Sequence, residues 1–223
     1  MTQNINTPAQ FITFEGGEGV GKSTNIEFCR QLLQQQGFEV LVTREPGGTE
    51  IAEIIREELL KKPHAERMSD VTELLLVFAA RAQHIEALVK PALDRGCWVL
   101  CDRFTDSTIA YQGYGRGLEL ALIKQLKNIA QLGVEPNKTF LLDAPIDVGM
   151  SRAKARGPAD RFEVEQLDFF TRVREGFLAI AEESPKRVKV INAAQALPQV
   201  QADLTTAIEQ VLRDAKTNSL DAH

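Results

Sequence analysis

One glycine-rich segment near the start of the chain constrains the fold more than any other feature. Residues 16–23 read G-G-E-G-V-G-K-S and fit the pattern G-x-x-x-x-G-K-[ST]. The segment follows a strand-like run, Phe11–Phe14, and precedes residues with helical spacing, Ile26–Leu33. In that context the glycines let backbone N–H groups face a phosphate, Lys22 neutralises phosphate charge, and Ser23 can bind Mg²⁺. The motif therefore predicts a strand–loop–helix unit that binds a nucleotide.

Four more short apolar runs follow, each bounded by turn or charged residues. They are Val40–Thr43, Trp98–Cys101, Thr139–Leu142 and Val188–Ile191. Longer segments with helical spacing accompany them, namely Thr72–Leu93, Leu118–Leu132, Phe169–Ala181 and Val200–Leu212. Short buried strands that alternate with helices predict an α/β fold of the P-loop NTPase type, with a five-stranded parallel sheet covered by helices on both faces. We expect Pro91 to kink or end the long helix that begins near Thr72.

Length and composition indicate one globular domain. The chain has 223 residues, of which 43% are hydrophobic and 26% charged, and we expect a single domain over residues 1–223 with frayed ends at about 1–9 and 216–223. No stretch approaches the roughly 18 consecutive apolar residues of a membrane span, and the first ten residues lack the pattern of a signal peptide. We therefore expect a cytoplasmic protein without a membrane partner. The net charge of −5 argues against a nucleic-acid partner.

A phosphate-binding loop is compatible with several activities. A GTPase switch would usually carry N-K-x-D to read guanine, but residues 137–140 read N-K-T-F, which breaks the pattern. Motor and partition ATPases usually act with larger partners, whereas a chain of this length favours a second small-molecule pocket. A nucleoside monophosphate kinase, a deoxynucleoside kinase and a nucleotide-dependent binding module remain open at this point.

Three further motifs bear on the second pocket, because open α/β sheets bind substrates at the carboxyl ends of their strands. Residues 43–49 read T-R-E-P-G-G-T, in which the glycines let the backbone approach a ligand. Asp102 and Arg103 end the third strand-like run, where an arginine can donate two hydrogen bonds to a phosphate. Residues 111–117 read Y-Q-G-Y-G-R-G. The alternatives are a simple strand-to-helix turn at 43–49 and a surface salt bridge at Asp102 and Arg103.

Together with the phosphate-binding loop, these motifs resemble the thymidylate kinase family of P-loop nucleoside monophosphate kinases, in register from the loop to near residue 165. The resemblance implies transfer of the γ-phosphoryl group of ATP to dTMP, giving dTDP and ADP in dTTP biosynthesis, with Mg²⁺ as the metal and a homodimer as the assembly. Ser23 and Asp102 would bind the metal. The residues expected to bind ATP are Gly16, Gly17, Glu18, Gly19, Val20, Gly21, Lys22, Ser23, Thr24 and Arg152.

The resemblance also implies a dTMP pocket. Its expected residues are Glu18, Arg44, Glu45, Pro46, Phe78, Arg81, Arg103, Ser107, Thr108, Tyr111 and Gln112. Phe78 is expected to stack on thymine while Arg81, on the same helical face, donates to a base carbonyl. The family usually separates these two residues by four, which would put Val77 at the aromatic position, and a core phenylalanine is the alternative for Phe78. Thr108 is the expected base contact, and Tyr111 either lies against the deoxyribose or is a half-buried structural residue.

The resemblance assigns specific roles to charged residues. Arg103 would lie between the donor and acceptor phosphates, Asp102 close to the magnesium ion and its waters, and Glu18 near the acceptor 3′-hydroxyl. The acceptor is already an anionic phosphate oxygen near neutral pH, so no general base or nucleophilic side chain is required. We therefore interpret Cys101 and His84 as structural, and the three cysteines, which lack C-x-x-C spacing, as reduced and buried.

A basic segment at about residues 151–163 predicts a short lid. It reads S-R-A-K-A-R-G-P-A-D-R-F-E, where Gly157 and Pro158 interrupt the helical pattern. Such a flap can close on ATP, exclude water and contact the phosphoryl oxygens, the alternative being a solvated basic helix face. The loop positions 17–20 contain no arginine, so the chain resembles the bacterial type of the family, in which the lid supplies the catalytic arginine. Arg156 is our first choice and Arg161 the second; with Lys22 and Arg103 they complete the predicted catalytic residues.

Overall fold

The computed structural model describes residues 7–60, 65–154 and 167–220. Its sheet consists of β1 (Phe11–Glu15), β2 (Val40–Arg44), β3 (Trp98–Asp102), β4 (Lys138–Asp143) and β5 (Val188–Asn192). The strand order is β2-β3-β1-β4-β5 and all four pairings are parallel, which confirms the predicted sheet. Each strand runs one residue beyond the apolar run that predicted it, and that residue is polar. The carboxyl edge of the sheet is therefore lined by polar side chains.

Helices connect the strands. In the described ranges they are α1 (Lys22–Gln35), α2 (Glu50–Leu60), α3 (Asp70–His84), α4 (Lys90–Asp94), α5 (Thr105–Thr108), α6 (Leu120–Gln131), α7 (Ile146–Lys154), α8 (Leu167–Glu183) and α9 (Leu197–Leu220). Two π-helical segments, Ile85–Val89 and Ile109–Gly115, join α3 to α4 and extend α5. The helices expected from apolar spacing are confirmed, whereas α2 and the turns from Thr105 to Gly115 were not predicted.

Helices cover both faces of the sheet, as predicted. Along β1 successive side chains point to opposite faces. Ile12 and Phe14 pack with residues of α1 and α9, whereas Phe11 packs with Val89 and Ala92 on the other face. All five residues of β1 are buried, which explains why this strand reads as a continuous run rather than an alternating one.

Pro91 does not end the long helix that contains it. The helical path continues to Asp94, and Pro91 lies in the first turn of α4, directly after the π-helical segment Ile85–Val89. Inside a continuous helix a proline removes one backbone donor and its ring crowds the carbonyl of the preceding turn, and the wider π-helical turn directly before Pro91 relieves that crowding. The change of helix type before Pro91 thus allows the helical path to continue where the sequence suggested a kink or an end.

The chain end is also more regular than expected. Helix α9 runs to Leu220, past residue 216 where we expected fraying to begin. Residues 1–6 and 221–223 lie outside the described residues, and the single domain over residues 1–223 stays a prediction. Among the described helices, none combines the length and apolarity needed to cross a bilayer.

The three cysteines are free and buried, which confirms their interpretation as reduced thiols. Burial raises the pKa of Cys29 to about 12. The pKa of Cys101 is also raised well above its usual value, chiefly by burial. Both side chains therefore stay protonated near neutral pH and act as core residues.

Candidate active site

A cavity of about 270 Å³ opens at the carboxyl edge of the sheet. Residues of the phosphate-binding loop form one side, and residues of α3, α5 and the second π-helical segment form the other. Sixteen of its lining residues were predicted as site residues, namely Glu18, Gly19, Val20, Gly21, Lys22, Ser23, Arg44, Glu45, Pro46, Arg81, Asp102, Arg103, Ser107, Thr108, Tyr111 and Gln112. Three more, Arg56, Val77 and Phe104, were not predicted. One cavity thus unites the separate motifs of the sequence.

The loop between β1 and α1 holds the Lys22 ammonium in its interior. Lys22 Nζ donates to the carbonyl oxygens of Gly16 at 3.1 Å and Gly17 at 3.0 Å. Burial, together with the nearby Arg103 cation, lowers the pKa of Lys22. Gly19 has a φ of +69°, and a Cβ at this position would lie 1.8 Å from the carbonyl oxygen of Gly149 in α7. The loop therefore needs glycine for its backbone conformation and for its close approach to α7.

Arg103 spans the loop from the opposite side. Its φ of +68° is left-handed, which is uncommon for a residue with a Cβ. Arg103 Nη1 donates to the Gly16 carbonyl at 3.0 Å, and Nη2 pairs with the Glu18 carboxylate. The guanidinium carbon lies 5.0 Å from the centroid of the Tyr111 ring. These contacts fix a guanidinium group beside the phosphate-binding loop.

Tyr111 serves both the cavity and the core. Its hydroxyl donates to Glu18 Oε1 at 2.9 Å, while its ring packs edge-on against Phe169 and Phe177 of α8. Burial, with the nearby Glu18 carboxylate, raises the pKa of Tyr111 well above its usual value, although Arg103 opposes this shift. The hydroxyl therefore remains a neutral donor. Tyr111 thus packs in the core and also lines the cavity, while its contact with the deoxyribose stays a prediction.

Arg81 carries a donor, Nη1, that no described residue uses. Its Nε donates to Glu45 Oε2 at 2.6 Å and its Nη2 to Thr108 Oγ1 at 2.9 Å. Nη1 is buried and has no hydrogen-bond partner among the described residues. Because an unpaired buried donor costs roughly 1–3 kcal/mol, and because Arg81 lines the cavity, Nη1 marks the place for an acceptor on a ligand.

The Arg81 guanidinium is held from several sides. Its carbon lies 4.9 Å from the Phe78 ring centroid and 5.1 Å from that of Phe104. Glu45, which pairs with Arg81, also contacts the fully buried His84, whose Nδ1 lies 2.8 Å from Glu45 Oε1. His84 thus has the structural role expected from the sequence, because it helps to hold the carboxylate that pairs with Arg81.

Phe78 does not line the cavity. It is 4% exposed and packs with Leu74 and Ile123 in an apolar cluster between α3 and α6. Val77 faces the cavity instead. At about 100° per helical residue, Val77 and Arg81 lie roughly 40° apart around the axis, whereas Phe78 lies about 60° to the other side of Arg81. We therefore replace Phe78 by Val77 in the interpretation of the base-binding face.

A buried carboxylate orients Gln112. Glu73 is fully buried and accepts a hydrogen bond from Gln112 Nε2 at 2.8 Å. It also accepts from Arg116 Nε and Nη2 at 3.4 and 3.3 Å. Since the amide nitrogen of Gln112 is directed to a carboxylate, the other end of this amide, an acceptor oxygen, remains for the cavity.

Residues at the end of β2 and in the segment that follows it form the rim of the cavity. Arg44 is half-exposed and donates from Nη2 to both carboxylate oxygens of Glu53, at 2.9 and 2.8 Å. Arg56 Nη1 donates to the Pro46 carbonyl at 2.8 Å. Arg56 lies on α2, which the sequence analysis did not identify. Two guanidinium groups therefore lie at this side of the cavity, where the sequence indicated only one.

Ser23 and Asp102 were predicted to bind a metal ion, and both line the cavity. Asp102 Oδ1 is buried without a hydrogen-bond partner in the part of the chain that the structure describes. No group of three or more His, Cys, Asp or Glu side chains that could hold a metal occurs among the described residues. This arrangement fits Mg²⁺, which keeps several waters and usually takes one or two carboxylates together with substrate phosphates.

Some predicted residues do not line this cavity. Gly16 and Gly17 contribute carbonyl oxygens to Lys22 but do not line it, and Thr24 is exposed on α1. Arg152, on α7, donates from Nη1 to the Ala193 carbonyl at 2.8 Å. The proposed lid arginines, Arg156 and Arg161, lie outside the described residues.

Comparisons with known proteins show which family this chain is similar to. A family model described as thymidylate kinase matches residues 14–204. The chain is 55% identical over 206 residues to a thymidylate kinase of Pseudomonas fluorescens strain Pf-5, covering 92% of this chain and 98% of that protein. It is 54% identical over 203 residues to one of Teredinibacter turnerae, covering 91% and 98%. A crystal structure of thymidylate kinase from Ehrlichia chaffeensis superposes with a TM-score of 0.73 at 35% identity, covering 90% of this chain and 99% of that one.

Proposed function

The chain belongs to the thymidylate kinase family, and from this premise we propose how its cavity binds dTMP beside ATP. The enzyme is a phosphotransferase that moves the γ-phosphoryl group of ATP to dTMP, giving ADP and dTDP. The observation that carries the assignment of the cavity is the Nη1 donor of Arg81, which has no hydrogen-bond partner among the residues that the structure describes; Arg81 lines the same cavity as the phosphate-binding loop. Donor and acceptor would therefore meet in one site.

The donor side is the loop that ends in α1. Backbone N–H groups of the loop and the Lys22 ammonium would face the β- and γ-phosphates of ATP. Ser23 and Asp102 would hold Mg²⁺, partly through waters. When bound, this ion would neutralise charge on the phosphate oxygens. Asp102 Oδ1, which has no hydrogen-bond partner within the described ranges of the chain, supports that assignment.

The acceptor base would lie against α3 and the second π-helical segment. Arg81 Nη1 would donate to the O4 carbonyl of thymine, Val77 would contact the ring, and the Gln112 amide oxygen would face N3–H. Cytosine carries an amino donor at the position of O4. That donor would oppose the guanidinium, so a cytosine would leave Arg81 unpaired. We therefore expect the cavity to bind thymine more tightly than cytosine, because the complex with cytosine would lack one buried hydrogen bond.

The phosphoryl transfer needs positioning and charge rather than proton abstraction. The acceptor is a phosphate oxygen that is anionic near neutral pH, and Arg103, which lies beside the phosphate-binding loop, would contact the donor and acceptor phosphates. Arg44 and Arg56 would hold the acceptor phosphate at the rim. Glu18, held by Tyr111 and Arg103, would lie at the sugar of dTMP.

Three further expectations rest on the sequence and the family resemblance. Arg156 stays our first choice for the lid arginine that contacts the transferred group, with Arg161 as the second. A cytoplasmic location stays an expectation. A place in dTTP synthesis follows from the substrate and product.

We also propose that the enzyme is a homodimer formed through α2 and α3. These helices pack on each other and expose four apolar side chains, Ile51, Ile54, Val71 and Leu75, by 47–58%. Adjacent exposed apolar residues on neighbouring helices often mark an interface. Sedimentation equilibrium should give a mass near twice 24.7 kDa, and Leu75→Glu should shift it towards the monomer. A monomeric mass for the unchanged chain would contradict the proposal.

The test of the function is an acceptor panel. Release of ADP is measured with ATP·Mg²⁺ and one acceptor at a time: dTMP, dUMP, dCMP, dGMP, AMP or thymidine. We expect turnover with dTMP to exceed that with dCMP by tenfold or more, the cost of about one buried hydrogen bond. Preference for AMP would indicate another nucleoside monophosphate kinase, preference for thymidine a nucleoside kinase, and no acceptor-dependent turnover a binding module.

Arg81→Gln is expected to raise the KM for dTMP about tenfold while the KM for ATP stays within about twofold. The change removes Nη1, and the loss of one buried polar contact of roughly 1–3 kcal/mol predicts an effect of this size. Circular dichroism checks folding, since Glu45 loses a partner. Arg213→Ala, on the exposed side of α9, is the control. Equal changes in both KM values, or none, would show that Arg81 is structural and that the base binds elsewhere.

A further inference from the structure

The buried carboxylate of Glu15 has no place in the mechanism above. Glu15 ends β1 and is 1% exposed. Its Oε1 accepts a hydrogen bond from the backbone N–H of Phe104 at 2.7 Å, and its Oε2 accepts one from the Ser107 hydroxyl at 2.5 Å. Each carboxylate oxygen thus has a donor, and both donors lie just after β3. Glu15 therefore contacts the segment that carries Arg103, although it does not line the cavity.

That segment begins with strained backbone. A left-handed conformation such as the φ of +68° at Arg103 persists in a residue with a Cβ only where its surroundings hold it. The Arg103 N–H donates to the Phe14 carbonyl at 2.9 Å. The next N–H along the chain, that of Phe104, donates to Glu15. The end of β1 therefore holds the backbone on both sides of the strained peptide.

A second link runs through Ser107 to the guanidinium itself. Ser107 Oγ, whose proton is directed to Glu15, accepts a hydrogen bond from Arg103 Nη1 at 3.3 Å. The same nitrogen donates to the Gly16 carbonyl of the phosphate-binding loop. Because the Ser107 hydroxyl donates its hydrogen bond to Glu15, the lone pairs of Ser107 Oγ face the arginine. Glu15 thus acts on both the backbone and the side chain of Arg103.

The carboxyl also titrates near neutral pH. Burial, together with the Asp106 carboxylate, raises the pKa of Glu15 to about 7, against the opposing effects of Ser107, Arg103 and the Phe104 N–H. Asp106 in turn pairs with Arg187 Nη1 and Nη2 at 2.7 and 3.1 Å.

Two further titratable groups lie near Glu15. Lys22 on α1 and Cys101 on β3 both respond to its charge. Burial keeps the Cys101 thiol protonated, since its pKa is raised well above the usual value. Ionisation of Glu15 therefore changes the charge beneath Lys22 and Arg103 together.

We propose that Glu15 is a positioning residue for phosphoryl transfer, because its carboxylate holds the strained turn and the Ser107 hydroxyl in the arrangement that directs the Arg103 guanidinium to the phosphates. The ionised form accepts both hydrogen bonds, whereas the protonated acid would turn a donor towards one of these two donors. The inference rests on the proposed function, since it concerns an arginine assigned to that reaction. It predicts that kcat rises as the pH increases through about 7, the pKa of Glu15.

Glu15→Gln tests the proposal, because glutamine has the same shape, keeps one acceptor oxygen and does not titrate. At pH 8 we expect kcat to fall about tenfold, with the KM for ATP within about twofold of wild type. The rise in kcat near neutral pH should be absent in the variant. A phosphate monoester has its own second pKa near 6, but this affects both proteins equally, so the difference between the two profiles reports Glu15.

Ser107→Ala gives a second, independent measurement. The hydrogen bond from Ser107 lowers the pKa of Glu15, so removing it should move the midpoint of the kcat profile to higher pH. A midpoint that stays in place would overturn the proposal, whatever the folding yield of Glu15→Gln. Thr13→Val is the matched control: Thr13 lies on the same face of β1, and its hydroxyl contacts Thr139 Oγ1 at 2.7 Å. Its pH profile should match wild type.

Two results with Glu15→Gln would also overturn the proposal. One is a kcat within twofold of wild type that still rises as the pH increases through about 7. The other is a lower kcat whose rise near pH 7 is unchanged. That result would mean that Glu15 affects only how much of the protein folds. Wild-type turnover in the same assay separates these two results from a failure of the proposed function. If the proposed function were wrong, the wild-type protein itself would show no dTMP-dependent activity.

Discussion

Lys22→Ala is expected to reduce kcat on the order of 10³-fold, the upper range for removal of one charge-stabilising donor, while the protein stays folded. The ammonium lies inside the loop between the carbonyl oxygens of Gly16 and Gly17. In the reaction it would meet the charge that develops on the β- and γ-phosphates. Burial lowers the pKa of Lys22, so its charged form is held at a cost to the native state. Its removal should therefore leave the melting temperature unchanged or higher.

The measurement is steady-state turnover with saturating ATP·Mg²⁺ and dTMP, with thermal unfolding of the same samples. Lys22→Arg should recover little, because a planar guanidinium does not fit the site of a compact ammonium between two carbonyls. Lys127→Ala removes a lysine that pairs with Glu135 on the surface and should match wild type. A folded Lys22→Ala protein with near-normal kcat would contradict the assignment of the donor site.

The sheet and the phosphate-binding loop were predictable because each depends on a pattern of residues that are close together in the sequence. Buried parallel strands give continuous apolar runs, and the phosphate-binding loop requires glycine at fixed positions. The strand ends were not predictable in the same way. Glu15 and Asp102 are charged, and a charged residue after an apolar run reads as the start of a turn. In the structure their backbone continues the ladder, which places their side chains beneath or within the site.

The base-binding face shows a different limit. The sequence places Val77, Phe78 and Arg81 on one helix, and apolar spacing alone does not give the rotation of that helix about its axis. Packing decides it: Phe78 fills the space between α3 and α6, which turns Val77 to the cavity. Arg56 was missed because it lies on α2, a helix for which the sequence analysis made no prediction. Long-range partners such as the Glu45 carboxylate of Arg81 have no local signal at all.

Arg103→Ala should lower kcat by about 10³-fold, as loss of a guanidinium that contacts the transferred group does in other phosphoryl-transfer enzymes. Arg103→Lys should stay below about a tenth of wild type. An ammonium cannot contact the Gly16 carbonyl, Glu18 and a phosphate together as the fork of guanidinium donors does. The KM for ATP should change much less than kcat, because the contact matters most in the transition state.

Arg103→Gly separates the side chain from the backbone that carries it. Both Arg103→Gly and Arg103→Ala lack the guanidinium, so their kcat values should be equally low. Their stabilities should differ, because alanine pays about 1 kcal/mol for the left-handed conformation that glycine adopts freely. At the size of this chain that difference corresponds to a melting temperature about 2–4 °C higher for the glycine variant. Equal melting temperatures would show that the φ of +68° carries no strain. A near-normal kcat in either variant would remove Arg103 from the phosphoryl-transfer step.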